Sequence, residues 1–370
     1  MTSLESLRGS ARPKRHNART IAALTGNPGC GRRAVLDAAG VDKPALADRI
    51  GFPGSFGQSR FALARGNAFE AMLKADGCAR LREVLGVPAG TALRYDDLGA
   101  DADDTLAQRH GRTRELLAGA RGAALVDHPL LTLDVAGQQV FLEPDLIAYR
   151  ADERIRVVEI KSFAIVDGQA DGAKVSGAAV QAAVYVLALR ALMRRLGAEE
   201  DRVSHEIVLV CPQNFGLRPT AVVIDVRKQL ATLRRQLARL RSVTELVDAL
   251  PDRLSFDPAL PPSVLIEALG AVAARYAPEC LSACELSVFC RHEAAGATAA
   301  LGRPVREALG GIATVPEVLD LATGRRSHAE HQADAAALLR AAARLRAEAL
   351  ASRERRDGPQ AEAPAGAMRW

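Results

Sequence analysis

Two sets of residues in this chain have types and spacings that can do chemistry. The first is Glu143-Pro144-Asp145, followed by Glu159-Ile160-Lys161 and then by Gln181 and Tyr185. The second is Cys30, alone near the start, with Cys280, Cys284 and Cys290 clustered far downstream. Carboxylates gathered beside an ammonium can hold a hard divalent cation, Mg²⁺ or Mn²⁺, because such ions want oxygen ligands. The cation activates a bound water and offsets phosphate charge, while the ammonium orients the water or stabilises the transition state. Thiolates instead select zinc or iron–sulfur clusters.

The first set needs a sheet to position it. Residues 131–135, 139–142, 146–149 and 156–160 read as short strands, with Ala136-Gly137 as a hairpin turn and 151–153 as another. Residues two apart on a strand share a face, so Glu159 and Lys161 point one way and Ile160 the other. Asp145 closes the preceding strand segment and can be brought beside Glu159. An E-x-K pair alone is a weak signal, since most such pairs are solvated ion pairs. Val157-Val158 just before Glu159 is buried-strand material and strengthens it. The spacing of apolar residues predicts a helix over 175–196, on which Gln181 and Tyr185 are neighbours four apart, a polar pair on an apolar background.

In this order the motifs resemble those of the RecB-like branch of the PD-(D/E)XK nucleases. Glu-Pro-Asp, Glu-x-Lys and Gln-x-x-x-Tyr follow that family's series. Arg65-Gly66-Asn67-Ala68-Phe69-Glu70 fits its upstream helix motif, with glutamate where many relatives have histidine. The resemblance implies an α/β fold, a restriction-endonuclease-like mixed sheet flanked by helices. It also implies Asp145 and Glu159 as metal ligands with Glu70 assisting, Lys161 serving the attacking water, and Gln181 and Tyr185 shaping the site. A lone cysteine joined to a distant triplet is the layout of the iron–sulfur-bearing members, which include the CRISPR-associated adaptation nuclease and AddB. By that resemblance Cys30, Cys280, Cys284 and Cys290 hold a 4Fe–4S cluster that joins the N- and C-terminal segments. Zinc at the same cysteines is the alternative. Cys280-x3-Cys284 is one residue longer than the commoner spacing.

The implied activity is metal-dependent DNA phosphodiester hydrolysis, exonucleolytic on single strands or ends, in DNA repair, recombination or phage defence. Two other readings stand beside it. One is a non-catalytic nucleic-acid-binding or assembly subunit of a helicase–nuclease or defence complex, whose partner would be a helicase or other ATPase, since no helicase motif occurs here. The other is a site-specific restriction-type endonuclease.

The chain has 370 residues, 48% hydrophobic and 25% charged, with net charge +5. This is an ordinary globular composition with a mild preference for polyanions. Aromatic residues make up 4%, too few for base stacking to be the main mode of binding. The apolar stretch 21–24 is too short for a secretory signal, and Arg190 interrupts the apolar run 180–189. No membrane association is expected, and the location expected is cytoplasmic, where structural disulfides are disfavoured. Cys78 and Cys211 then read as buried core thiols. Gly26 to Arg33 has the glycines of a phosphate loop but lacks its Lys and Ser/Thr, and no strand precedes it, so ATP binding there is rejected.

The expected layout is a flexible basic tail over 1–19, a nuclease domain with its cysteine module over 20–295, added helices over 296–351 and a disordered tail over 352–370. Further helices are expected over 32–39, 65–73, 105–118, 227–250, 263–275 and 327–351, and strands over 205–211 and 220–226.

Overall fold

The computed structural model describes residues 3–54, 60–88, 90–99, 103–119, 122–149, 154–214 and 216–357. The chain divides into a larger unit, Met1–Arg275 with Glu279–Phe289, and a smaller one, Tyr276–Pro278 with Cys290–Trp370. The strands, all in the larger unit, are β1 (Leu93–Asp97), β2 (Ala123–Asp127), β3 (Leu131–Val135), β4 (Gln138–Leu142), β5 (Leu146–Tyr149), β6 (Arg156–Ile160), β7 (Glu206–Pro212) and β8 (Pro219–Asp225). Its helices are α1 (Leu4–Arg8), α2 (Ala18–Gly26), α3 (Gly31–Ala39), α4 (Lys43–Arg49), α5 (Arg60–Val84), α6 (Leu106–Ala118), α7 (Gly172–Arg195), α8 (Arg227–Leu237), α9 (Val243–Asp248), α10 (Pro262–Gly270) and α11 (Cys280–Ala283).

Six strands make one mixed sheet in the order β1-β2-β5-β6-β7-β8, and β3 pairs with β4 in a separate hairpin. β5 runs antiparallel to β6, which puts Leu146 opposite Val158, and β6 runs parallel to β7. A parallel pair needs a long crossover, and α7 supplies it. Asp171 starts that helix by accepting the backbone N–H groups of Ala173 and Lys174 at 2.9 and 3.3 Å. α7 is the one described helix long and apolar enough to cross a membrane. It packs instead on β3, β6 and β7 and against α2 and α8, with twelve of its residues buried, as a core helix does.

The other face of the sheet is covered by α5. Phe69, Leu73 and Leu81 pack on Leu125, Leu146, Val158, Ile160, Val208 and Val210. Each such side chain contributes about 1.5–3 kcal/mol by leaving water. Because alternate residues face alternate sides, sending Leu146, Val158 and Ile160 to α5 turns Asp145, Glu159 and Lys161 toward α7.

Several expectations are corrected. Within the stretch expected as a flexible basic tail, residues 4–10 are docked, while most of residues 11–17 are exposed. Leu7 is fully buried, Phe256 N–H donates to the Leu7 carbonyl at 2.7 Å, and Ser10 N–H donates to Asp257 at 2.7 Å. The helix expected over 227–250 is two helices, α8 and α9, because the chain turns at Ser242 and Val243 N–H donates to Ala136 at the hairpin tip, at 3.0 Å. The helix expected over 263–275 ends at Gly270. The one expected over 65–73 is longer, Arg60–Val84. β1 and β2 were not expected as strands. The turn expected over 151–153 lies outside the described residues.

The smaller unit is helical, as expected for the region beyond 296. α12 (Ser287–Glu293) straddles the division, and α13 (Arg303–Ala308), α14 (Val315–Ala322) and α15 (Ala333–Asp357) follow. Its core is Ile312, Val318, Leu321 and Ala336, with Leu309 and Leu339 packed against it. The helix expected over 327–351 starts only at Ala333, after a 3₁₀ turn, and runs to Asp357, into the stretch expected as a disordered tail. Residues 358–370 lie outside the described residues.

Candidate active site

Asp145 ends the loop that enters β5, and its Oδ2 accepts the backbone N–H of Ile160 at 2.7 Å across the strand pair. Glu159 stands beside it on β6, 1% exposed, with Oε1 ion-paired to Lys161. Lys161 is fixed in turn where β6 ends, its N–H donating to the Val210 carbonyl at 2.9 Å. The structure thus brings Asp145, Glu159 and Lys161 together on one side of the sheet, and Tyr185 of α7 is close enough to feel both carboxylates.

The electrostatics are those of crowded anions. Burial, then the Asp145 charge, pushes the Glu159 carboxyl up to about 7, against the opposing pull of Lys161. Asp145 is raised as well, chiefly by burial, with Lys161 and the Ile160 N–H opposing. Burial works against the Lys161 ammonium, but Glu159 and Asp145 outweigh it and hold its pKa above the ordinary value. The Tyr185 hydroxyl is held well above its usual range by burial and the two carboxylates, so it stays a neutral donor. Glu159 Oε2 is buried with no hydrogen-bond partner among the described residues. An orphaned anionic oxygen beside a second carboxylate is a site that suits a hard cation, and the residues present fit one.

Glu70 lies in a neighbouring cluster on the α5 side. Its carboxylate pairs with Lys74 at 2.5 Å and stands 3.6 Å from His128 Nε2. Lys74 also binds the fully buried Asp127 at 2.8 Å. His128 Nδ1 is 3.3 Å from Asp127 and 3.5 Å from Asp97, and the Tyr95 hydroxyl donates to Asp127 at 2.6 Å. The Asp127 bond raises the His128 pKa. Burial works against the Asp127 charge, but the bonds from His128, Lys74 and Tyr95 lower its pKa. Glu70 adds to the raising of Asp145, so the clusters adjoin. Lys74, Asp127 and His128 were missed by sequence reasoning. They come from a helix, a strand end and a turn, and no spacing links them.

A cavity of about 1,070 Å³ opens beside the site. Its lining includes Lys161 and Gln181 and also Cys30, Cys280 and Cys284. The cysteines arrive there by long-range bonds. Asn27 Nδ2 donates to the Arg275 carbonyl at 2.6 Å and to Cys280 Sγ at 3.4 Å, and Arg33 donates to the Ala283 carbonyl at 2.8 Å. Gly31 permits the approach, since a Cβ there would stand 3.2 Å from the Ala273 carbonyl oxygen. None of the six cysteines forms a disulfide. Three thiols line this cavity, with an amide N–H on the Cys280 sulfur, and burial raises the Cys284 thiol against the pull of the Arg33 guanidinium. Among the described residues no three cysteine sulfurs lie within 4.8 Å of one another, so as placed these donors suit a thiolate-held cluster and not a single ion. Cys290 is buried on α12. Cys78 and Cys211 are fully buried in the core, and burial pushes the Cys211 thiol up to about 12. Gly26 ends a helix, α2, and no strand leads into the glycine-rich segment.

The larger unit is thus a mixed six-stranded sheet flanked by helices, with a carboxylate–lysine site at the ends of β5 and β6. No protein-family model and no curated protein matches this chain.

Proposed function

We propose that this chain is a metal-dependent nuclease of the RecB-like PD-(D/E)XK type, with a restriction-endonuclease-like core, acting on DNA single strands or ends. The observation that carries the reading is the buried Asp145–Glu159 pair with its orphaned oxygen and Lys161 bonded to it. Asp145 and Glu159 would hold Mg²⁺ or Mn²⁺, with Glu70 at its margin. A divalent cation there supplies Lewis acidity, activating a water and offsetting charge on the phosphate. Lys161, kept cationic by its neighbours, orients the attacking water and meets the charge that develops on the phosphoryl oxygens. Gln181, on the cavity wall, positions the strand, and Tyr185 donates its hydroxyl beside the carboxylates.

The thiols of the larger unit support a 4Fe–4S cluster with Cys30, Cys280 and Cys284 among its ligands. Zinc is the alternative at the same cysteines, but it would need their sulfurs drawn to about 3.8 Å apart, closer than any three cysteines among the described residues stand. The purified protein's visible spectrum separates the two, since a brown protein carries iron–sulfur and a colourless one with stoichiometric zinc does not. A cytoplasmic location and work beside a helicase or other ATPase belong to the same proposal.

The test is digestion of labelled DNA by the lone protein with Mn²⁺. Cutting that EDTA blocks, and that Asp145→Ala and Lys161→Ala each reduce by at least about a thousandfold, is the expected result. Either variant cutting at the normal rate overturns the site. Wild-type protein that binds DNA without cutting favours a non-catalytic subunit, and discrete fragments rather than progressive shortening favour a restriction-type endonuclease.

A further inference from the structure

Apart from the carboxylate–lysine site, one further group of ligand-type side chains converges among the described residues. Asp97 and Asp127 close the parallel neighbours β1 and β2 and stand opposite each other in register, with His128 next in sequence. None of the three lies in the Glu-Pro-Asp, Glu-x-Lys or Gln-x-x-x-Tyr motifs. The His128 backbone N–H donates to the Asp145 carbonyl at 3.3 Å, so the group adjoins the carboxylate–lysine site while sharing no ligand with it.

One oxygen of Asp97, one of Asp127 and a ring nitrogen of His128 all lie within 4.8 Å of one another. His128 Nδ1 stands 3.3 Å from Asp127 Oδ1 and 3.5 Å from Asp97 Oδ1. Around a tetrahedral Zn²⁺, with bonds of about 2.0–2.2 Å, adjacent ligand atoms lie about 3.4 Å apart. Nδ1 and Asp127 Oδ1 are both sealed from solvent, and neither makes a directed hydrogen bond among the described residues. Asp127 is fully buried, where an oxygen left so is costly. Lys74 pairs its charge with that oxygen at 2.8 Å, which leaves it a second lone pair. Both carboxylates are fixed, since Asp127 Oδ2 accepts the Tyr95 hydroxyl at 2.6 Å and Asp97 Oδ1 accepts the Gly99 N–H at 2.8 Å.

A metal-bound histidine commonly turns its other ring nitrogen to a carboxylate. Glu70 stands 3.6 Å from His128 Nε2, and Lys74, 3.4 Å from the same nitrogen, is held by Glu70 and Asp127. With the proton on Nε2, the Nδ1 lone pair faces the two aspartates. A second cavity, about 500 Å³, is lined in part by Asp97 and gives the group a route from solvent.

We propose that Asp97, Asp127 and His128 bind a divalent transition cation of the Zn²⁺ type, which fastens the ends of β1 and β2 and keeps water in its remaining position. An imidazole and tetrahedral spacing favour Zn²⁺ over the Mg²⁺ or Mn²⁺ of the carboxylate pair. This site goes beyond the nuclease reading and does not depend on it.

Calorimetric titration of the full chain with Zn²⁺ tests the proposal, with Glu159→Gln throughout to silence the carboxylate pair. Asp97→Asn and His128→Asn are each added, asparagine because it tolerates the left-handed φ of +48° at position 128. The thiols are common to all three proteins, so whatever they take up cancels. The parent should bind one more Zn²⁺ per chain than either double variant, or bind it at least about tenfold tighter. An excess of Mn²⁺, about tenfold, should leave that difference intact. Melting curves check the fold, and Asp97→Asn, at a side chain 37% exposed, carries the test if the His128 variant melts early. Equal uptake and affinity in the folded variants, or a difference that Mn²⁺ abolishes, overturns the proposal. If wild-type protein cuts DNA and the variants bind Zn²⁺ equally, the zinc site falls and the nuclease reading stands. If wild-type protein does not cut but the variants lose the ion, the zinc site stands and the nuclease reading falls.

Discussion

Glu159 is held against its own chemistry: an acid with almost no solvent contact, beside a second acid, balanced by a single ammonium. Its folded pKa, about 7, lies above its ordinary 4.5. Between these values the unfolded chain has released the proton while the folded chain keeps it, so stability falls as pH rises through that window. Glu159→Gln should therefore flatten the loss. In EDTA the wild-type melting temperature should drop between pH 5 and pH 8 while the variant's changes less, and Mn²⁺ should raise the wild-type value at pH 8 and leave the variant's unmoved. Equal pH profiles for the two proteins would remove Glu159 from this role. Asp145, Glu159 and Lys161 were legible in the sequence because strand alternation and one hairpin-like return fix their relation within a few residues. Lys74, Asp127 and His128 were not, since they come from separate elements that only the folded sheet brings together.

At the scale of elements, the legible parts are those whose pattern is local. β3 to β6 have short β-branched runs closed by turns, and α7 has uninterrupted helical spacing. β1 (Leu-Arg-Tyr-Asp-Asp) is a half-buried edge strand whose alternation extends over only Leu93 and Tyr95, and β2 (Ala-Ala-Leu-Val-Asp) is too short and alanine-rich to declare itself. The break between α8 and α9 follows from a tertiary bond to the hairpin tip, which no propensity encodes. The segment carrying Cys280 and Cys284 depends on a buried ion network of the same non-local kind. Asp37, 2% exposed, pairs with Arg33 at 4% and Lys43 at 7%, and both cations also approach Glu285 at 3.8–4.0 Å. Asp37→Asn would leave two buried cations short of a counter-charge. It should cost about 3–5 kcal/mol in denaturant unfolding. A loss under 1 kcal/mol would mean that water reaches the network.

For the molecule as a whole, the thiol wall ties together parts of the chain that nothing local connects. Metal binding at such a point is folding free energy, because the unfolded chain has no preformed site. On the proposed iron–sulfur reading, Cys284→Ser should bleach the visible absorption and lower the melting temperature, and a variant that keeps both colour and stability would exclude Cys284 as a ligand. Asn27 meets the Arg275 carbonyl across 248 positions of chain, whereas Asp145 and Tyr185 fall within one sheet-and-crossover unit. Synthesis proceeds from the N-terminus, and units fold as they emerge. Asp145, Glu159 and Lys161 thus leave the ribosome well before the segment that carries Cys280 and Cys284, and a growing polypeptide can gather its acids around Lys161 while that flank still stands open. The last part of translation then completes the cavity wall, so a message truncated near codon 270 would yield a protein with its acids and lysine but without the side of the cavity that Cys280 and Cys284 supply.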